Sequence, residues 1–368
     1  MSREEISRRE RLQKQKEKKK RRRKKVIFLC LEIFLLILVC IGAWGFNYVS
    51  SLWNRIPKSE FDPIKDVEKN DLHEDTIKAM KGYTTFAVFG TDSRNDNEGA
   101  GADVNMLIVL NNETKEVKLV SVYRDTCVID SDGDYRKLTN IYRADGVKEQ
   151  IATLNRNFDL EISDYVSVDW LAVAQAINLM GGLEMRLEPD AVHALNKYLY
   201  EINDKFHTTA EKLTVREDGI YQMKGEHVVT YCRVRKELPG GDFARTQRQR
   251  EVVNMMLAKA KTLSPSQILS ICEMLTEKDE NGKPKYMELS LEFSEVVSLA
   301  KDIFSYEITD MIGFPYELQT EGGGQWREFP LGLADNVKRL HESVYSATNY
   351  VPSTKVQEID ALMRKITG

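Results

Sequence analysis

The sequence predicts an α/β fold: a central, mostly antiparallel or mixed sheet flanked by helices as an α-β-α sandwich, preceded by one transmembrane helix. Three observations carry this. Short apolar runs of strand length alternate with longer segments of helical spacing, the pattern of a sheet covered by helices. Two of the apolar runs flank a polar turn and so pair as a hairpin. An unbroken apolar stretch of bilayer length stands near the N-terminus, directly behind a basic run.

The basic run comes first. Of the 368 residues, which sum to a net charge of -4, residues 1–25 hold 14 Lys or Arg against 4 Asp or Glu. Val26–Val49 follows, VIFLCLEIFLLILVCIGAWGFNYV, with Glu32 as its only charge. A helix of about 20 apolar residues crosses a bilayer, and basic flanks stay on the cytoplasmic side. No A-x-A cleavage site follows, so an uncleaved anchor is expected rather than a signal peptide. The resulting plan is a cytoplasmic segment 1–25, a transmembrane helix 26–49, an extracellular stalk 50–80, a globular domain 81–350 and a C-terminal tail 351–368. The protein would be a single-pass protein of the cell membrane. Its basic N-terminus suits anionic lipid headgroups. Beyond residue 25 there are 39 basic and 53 acidic residues, which argues against a nucleic-acid partner, since that needs broad positive potential.

Residues 50–80 are polar and charged, with a helix expected from Ile64 to Met80. Thr84–Gly90 reads as a buried strand running into the glycine-rich acidic loop GTDSRNDNEGAGAD. Val104–Leu110 and Val117–Val122 form the hairpin around Asn111, Asn112 and Glu113. Helical spacing marks Ala144–Phe158, and again Asp169–Leu179 as far as Gly181-Gly182. Leu183–Leu187 reads as a strand and Ala191–Phe206 as a helix. Further helices are expected at Lys224–Thr230, Asp242–Thr262, Ser266–Leu275, Ser294–Ile303 and Leu333–Ser346. The five cysteines form neither a disulfide framework nor a CxxC pair, and the five histidines offer no HExxH-type ligand pair, so zinc is not expected.

The densest chemistry lies in Tyr231–Arg250, YCRVRKELPGGDFARTQRQR. An extended backbone would turn Arg233 and Arg235 to one face. On a helix, Arg245 neighbours Arg248 and Gln249. Gly240-Gly241 makes a turn between the halves, and Asp242 is expected as the N-cap of the second. Arginine forks bind phosphate oxygens bidentately, so the stretch reads as a phosphate site rather than a solvated basic face. Asp92, Arg94, Asp103, Arg124 and Asp125 all stand at strand ends, where ligand sites of open α/β sheets gather. Paired aspartates facing arginines suit a divalent cation bridged to phosphate.

The ordered set GTDSR at 90–94, AD at 102–103, YRD at 123–125, KLTN at 137–140, Gly181-Gly182, YxRxR at 231–235 and DxxRxxRQ at 242–249 resembles the LytR-CpsA-Psr family of Gram-positive cell-wall ligases. The resemblance covers about residues 81–262 and implies an apolar groove holding a polyprenyl pyrophosphate. It implies a phosphotransferase that moves a glycopolymer, teichoic acid or capsular polysaccharide, from that lipid to a muramic acid hydroxyl of peptidoglycan. It also implies roles. Asp92 and Asp103 match the ligands of Mg2+, with Mn2+ as an alternative. Arg124, Arg233, Arg235, Arg245 and Gln249 match pyrophosphate ligands, with Arg248 counted beside them. Asp92, Arg94, Arg124 and Arg233 are the expected catalytic set, with Asp92 the candidate base. The helices around 166–180 and 250–260 are apolar enough to wall the groove. Val104, Asn105 and Tyr123 depart from the family's usual Thr, Met and Pro. Rival readings are a non-catalytic binder or a phosphatase of polyprenyl pyrophosphates, and a transcriptional regulator, for which residues 1–25 are too short.

Overall fold

The structure is a computed structural model describing residues 47, 48, 50, 51, 54, 61–92, 101–280, 285–321 and 327–367. It divides into two units, Met1–Asn54 and Arg55–Gly368. In the first, the Ser51 hydroxyl donates to the Tyr48 carbonyl at 2.7 Å. The expected basic segment and nearly all of the expected membrane span lie outside the described residues. No helix among those described is long and apolar enough to cross a membrane.

The second unit is built on a six-stranded mixed sheet. Its strands are β1 (Tyr83–Asp92), β2 (Gly101–Asn111), β3 (Glu116–Val122), β6 (Asp164–Asp169), β9 (Met287–Leu289) and β10 (Glu307–Phe314), in the order β10-β3-β2-β1-β6-β9. β2 and β3 form the expected hairpin, with its turn held by the Asn111 carboxamide accepting from Glu113 and Thr114 N–H, and β1 extends it into an antiparallel meander. β6 joins β1, and β10 joins β3, in parallel.

Side chains alternate across the sheet, so each face has its own core. Ala87, Phe89, Leu107 and Val109 meet α3 (Leu138–Phe158), α10 (Leu333–Tyr345) and α11 (Thr354–Thr367) on one face. Met106, Leu110 and Leu119 meet α4 (Trp170–Leu179), α5 (Pro189–Phe206), α6 (Gly225–Arg233) and α7 (Gly241–Ala260) on the other. Helices on both faces make the expected sandwich. α4 and α6 approach so closely that a Cβ on Gly225 would stand 1.9 Å from the Ala174 carbonyl oxygen.

Several elements differ from expectation. The stalk's residues 61–80 carry α1 (Pro63–Asp66) and α2 (Glu74–Met80), and Phe61, Val67 and Met80 pack into the first core. Residues 351–368, expected as a tail, carry α11, whose Val356, Ile359 and Met363 are buried. β4 (Cys127–Ile129) pairs with β5 (Tyr135–Lys137), β7 (Leu183–Arg186) with β8 (Ile220–Met223), and β11 (Leu318–Glu321) with β12 (Arg327–Pro330). Two further helices, α8 (Pro265–Leu275) and α9 (Phe293–Lys301), stand where spacing places them.

Candidate phosphate-binding site and apolar groove

Two strand ends open the site. Register along β1 and β2 shifts between Gly90 and Thr91: Gly90 pairs with Val104 and Thr91 with Ala102. Asp103 is the extra residue of this bulge, and a bulge re-aims a side chain out of the pleat. Asn105 braces it. Its carboxamide donates to the Ala102 carbonyl at 3.1 Å and accepts from Gln150 of α3 at 2.6 Å. The departure at Asn105 thus supports the bulge from the buried side. Asp92 ends β1 opposite Gly101. Arg94 lies outside the described residues.

Beside this corner runs the loop Tyr123–Thr126, pinned by its backbone. Tyr123 N–H donates to Phe314, Leu138 N–H to Thr126, Thr139 N–H to Arg124 and Glu328 N–H to Asp125, all at 2.9–3.0 Å. The first of these bonds needs an N–H that proline lacks, so Tyr123 gains an anchor to β10. Its ring meets Phe243 of α7 edge-on at 4.7 Å.

The loop presents Arg124, whose Nη1 donates to Asp103 Oδ1 at 2.7 Å. Arg124 Nε also lies 4.0 Å from Asp242. Arg245 Nη2 is 2.8 Å from Asp242, Arg235 Nε is 3.7 Å from it, and Lys137 Nζ is 3.2 Å from Asp125. Three of the expected arginines therefore converge with three aspartates and a lysine. Burial works against charge on Arg124, but Asp103, Asp242 and Asp125 outweigh it and hold the guanidinium above its ordinary value. Burial lowers Arg245; Asp242 opposes this, while Arg124 and Arg235 push it down further. Crowded cations of this kind attract an anion that they can share.

The arginine stretch differs from its expected backbone. Arg233 is not on a strand: it closes α6, and Val234 is the C-cap. Asp242 is not the N-cap of α7 but its second residue; Gly240, at φ 84°, caps it. Arg248 and Gln249 also have a task that spacing does not reveal. Arg248 Nε donates to the Tyr231 carbonyl at 3.3 Å and its Nη2 to Val234, while Gln249 Nε2 donates to Cys232 at 3.2 Å. They satisfy carbonyls that the end of α6 leaves open. Arg248 thereby fixes the segment that carries Arg233 and Arg235.

Against the cluster lies a cavity of about 330 Å³, walled by Val88, Trp170, Ala176, Val229, Val253 and Met256 among others. α4 and α7 do line it, and Val166 and Val168, expected on the first of these helices, line it from β6. Its wall includes Val104, Cys232 and Gln249, the sequence neighbours or helical neighbours of Asp103, Arg233 and Arg245. The apolar space therefore abuts the charged one.

Two further residues escape sequence reasoning as site members. Lys137 was visible in the KLTN motif without a role. Arg143 of α3 lies against the strand end: a Cβ at Gly101 would be 2.8 Å from its Nη2. For a metal, Asp103 offers a hard carboxylate of the kind Mg2+ takes, in the bulge next to the strand end where Asp92 pairs with Gly101. Among the described residues no group of three or more His, Cys, Asp or Glu could hold a metal ion.

A mixed sheet with helices on both faces thus sets a cluster of arginines and aspartates beside an apolar cavity. The LytR_cpsA_psr family model matches residues 55–312, and the chain belongs to that family. Biofilm regulatory protein A of Streptococcus mutans is 27% identical over 248 residues, 65% of this chain and 57% of that protein. The polyisoprenyl-teichoic acid–peptidoglycan teichoic acid transferase TagU of Enterococcus faecalis is 25% identical over 256 residues, 69% of this chain and 76% of its own. A solved structure described as the LytR-CPS2A-psr family protein YwtF (TagT) with bound octaprenyl pyrophosphate lipid superposes with a TM-score of 0.53 at 18% identity, covering 77% of this chain and 98% of that one. The chain thus spans just over half of the streptococcal relative and about three quarters of the enterococcal one.

Proposed function

We propose that this protein is a membrane-anchored phosphotransferase. It takes a glycopolymer from a polyprenyl pyrophosphate carrier and joins it to peptidoglycan through a phosphodiester on a muramic acid hydroxyl. The observation that carries this is that the neighbours of Asp103, Arg233 and Arg245 in the chain wall the apolar groove: one ligand with a diphosphate head and a prenyl tail suits cluster and groove together. Family membership supports the same ligand class. The span 26–49 would anchor the chain with its N-terminus in the cytoplasm and the domain outside, beside both lipid donor and wall.

In the reaction, the acceptor oxygen attacks the phosphorus that bears the glycopolymer. The bond from that phosphorus to the bridging oxygen breaks, and polyprenyl phosphate leaves. Arg124, Arg235 and Arg245, with Arg233, stabilise the charge that grows on the transferring and leaving phosphates. Asp92 takes the hydroxyl proton in this scheme. Mg2+ on Asp92 and Asp103 would supply further charge neutralisation.

The test is the full chain in detergent with Mg2+, a labelled lipid-linked donor and peptidoglycan. Label should move to the wall polymer only with donor and acceptor both present. Phosphate release without acceptor would point to a phosphatase, and label that stays on lipid would overturn transfer. Resistance of the chain to alkaline extraction from membranes checks the anchor.

A further inference from the structure

Beside the cluster stands an acid that the reaction above leaves unused. Glu328 of β12 is 3% exposed, and its Oε2 is buried with no hydrogen-bond partner. Its N–H donates to the Asp125 carbonyl at 2.9 Å, and Thr126 bridges to it in parallel. β12 therefore holds the loop that carries Arg124. The charged and titratable groups facing Glu328 are Asp242 of α7, Asp125 and Tyr123 of the loop, Arg235 from the segment between α6 and α7, and Lys137 of β5.

Those cations are already shared. Lys137 lies on Asp125 at 3.2 Å, Arg245 on Asp242 at 2.8 Å and Arg235 between both aspartates at 3.7–4.0 Å. A third negative charge here meets two like charges and gains no donor, so it is disfavoured. Burial first, then Asp242 and Asp125, push the Glu328 carboxyl up to about 7, against Arg235 and Lys137.

We propose that Glu328 is a positioning residue of the donor site: as the neutral acid it leaves Arg235 and Lys137 to the donor's phosphates, and as the carboxylate it competes for them. This rests on the polyprenyl-pyrophosphate reading above. A pyrophosphate diester brings two negative charges into the cluster, and an ionised Glu328 repels them. Donor binding and the Glu328 proton therefore favour each other, and by linkage the effect is reciprocal. Above neutrality, binding takes up a proton at Glu328. Affinity is greatest below pH 7 and weakens as pH rises through it.

The experiment titrates the full chain in detergent with a short prenyl-pyrophosphoryl sugar, whose diester has no group ionising near neutrality. Affinity is measured at pH 6 and pH 8.5, and calorimetry in two buffers of different ionisation heat counts protons. Wild-type affinity should fall about tenfold across this range, as expected when one group titrates within it, with up to one proton taken up at the higher pH. Glu328→Gln should bind at both pH values about as tightly as wild type at pH 6, without proton uptake. Equal wild-type affinity at both values, or an unchanged pH dependence in Glu328→Gln, overturns the role of Glu328. If the variant does not fold, wild-type proton uptake decides alone. A wild type that binds the probe at neither pH overturns the transferase reading itself, a result distinct from flat binding.

Discussion

Arg235 and Arg245 belong to one cluster but stand in different surroundings, and their substitution should separate catalysis from stability. The Arg235 side chain is 38% exposed, whereas that of Arg245 is 6% exposed and lies on Asp242, itself buried. Removing Arg235 takes a charge from the site and leaves little uncompensated. Arg235→Ala should unfold at the wild-type temperature while transfer falls about 10²–10³-fold, the usual loss for one preorganised donor. Arg245→Ala leaves the Asp242 carboxylate buried without its closest cation. Breaking such a pair costs about 3–5 kcal/mol, so this variant should lose both activity and several degrees of Tm. Adding Asp242→Asn should restore much of the stability and none of the transfer. An active Arg235→Ala enzyme would sink the site assignment.

At the scale of elements, the α6–α7 junction explains how two helices aim one set of arginines. α7 reaches across to the end of α6 through Arg248 and Gln249, so the two helices set one another's register. Arg248→Met loses both carbonyl bonds and the guanidinium that lies over the Tyr231 ring at 5.3 Å. It should fold, with Tm lowered by a few degrees, and bind the lipid donor about tenfold more weakly, as the loss of one charge-assisted bond pair implies. Donor affinity by fluorescence or calorimetry checks this. The same junction marks what the sequence carries and what it withholds. Arg124, Arg235 and Arg245 were legible because their chemistry has few other uses at such density. The bonds of Arg248 were not legible, because spacing shows its closeness to Arg245 but not the carbonyls opposite. The β2–β3 hairpin was legible from two apolar runs around the turn at Asn111, Asn112 and Glu113. β6 and β10 were not: they pair in parallel with strands far away in sequence, and β10 carries Glu307 and Asp310 on an exposed edge, the polarity that protects a sheet edge and hides a strand. Glu328 lies some eighty residues beyond the arginine stretch, and only the pairing of β12 beside Thr126 brings it there.

Across the whole molecule, the sheet divides two tasks: one face holds the groove and the other holds the chain together. A bulky group in the groove should leave the second face untouched. Ala176→Trp, set in the cavity wall on α4, should abolish binding of long prenyl pyrophosphates while a head group with a short tail still binds. Equal binding of both tail lengths would show that the tail lies elsewhere. The opposite face depends on the last helix. Asp159 ends α3 and accepts from the Ser353 hydroxyl at 2.6 Å and from Ser353 N–H at 2.8 Å, with the Tyr350 hydroxyl as a third donor. This triple anchor seats α11 over α3. His341 stacks on Tyr350 and its Nε2 bonds to the Phe158 carbonyl. Burial pulls His341 down to about 4, against the pull of the Phe158 carbonyl and Asp159. The unfolded chain then binds the proton more readily, so the stability this histidine contributes is present above about pH 6.5 and is lost as pH falls toward 4. His341→Gln should flatten that part of the Tm–pH profile. Removal of α11 goes further. Val356, Ile359 and Met363 are each at most 2% exposed, and burying such side chains contributes about 1.5–3 kcal/mol apiece. Their sum is comparable with the 5–15 kcal/mol by which whole domains are stable. A chain ending at Tyr350 would expose that core and strand Asp159 without Ser353. It should show no cooperative thermal transition and should aggregate, although every arginine of the site remains. A truncated protein that melts cooperatively and still binds donor would mean that α11 is dispensable and that the groove face is stable alone.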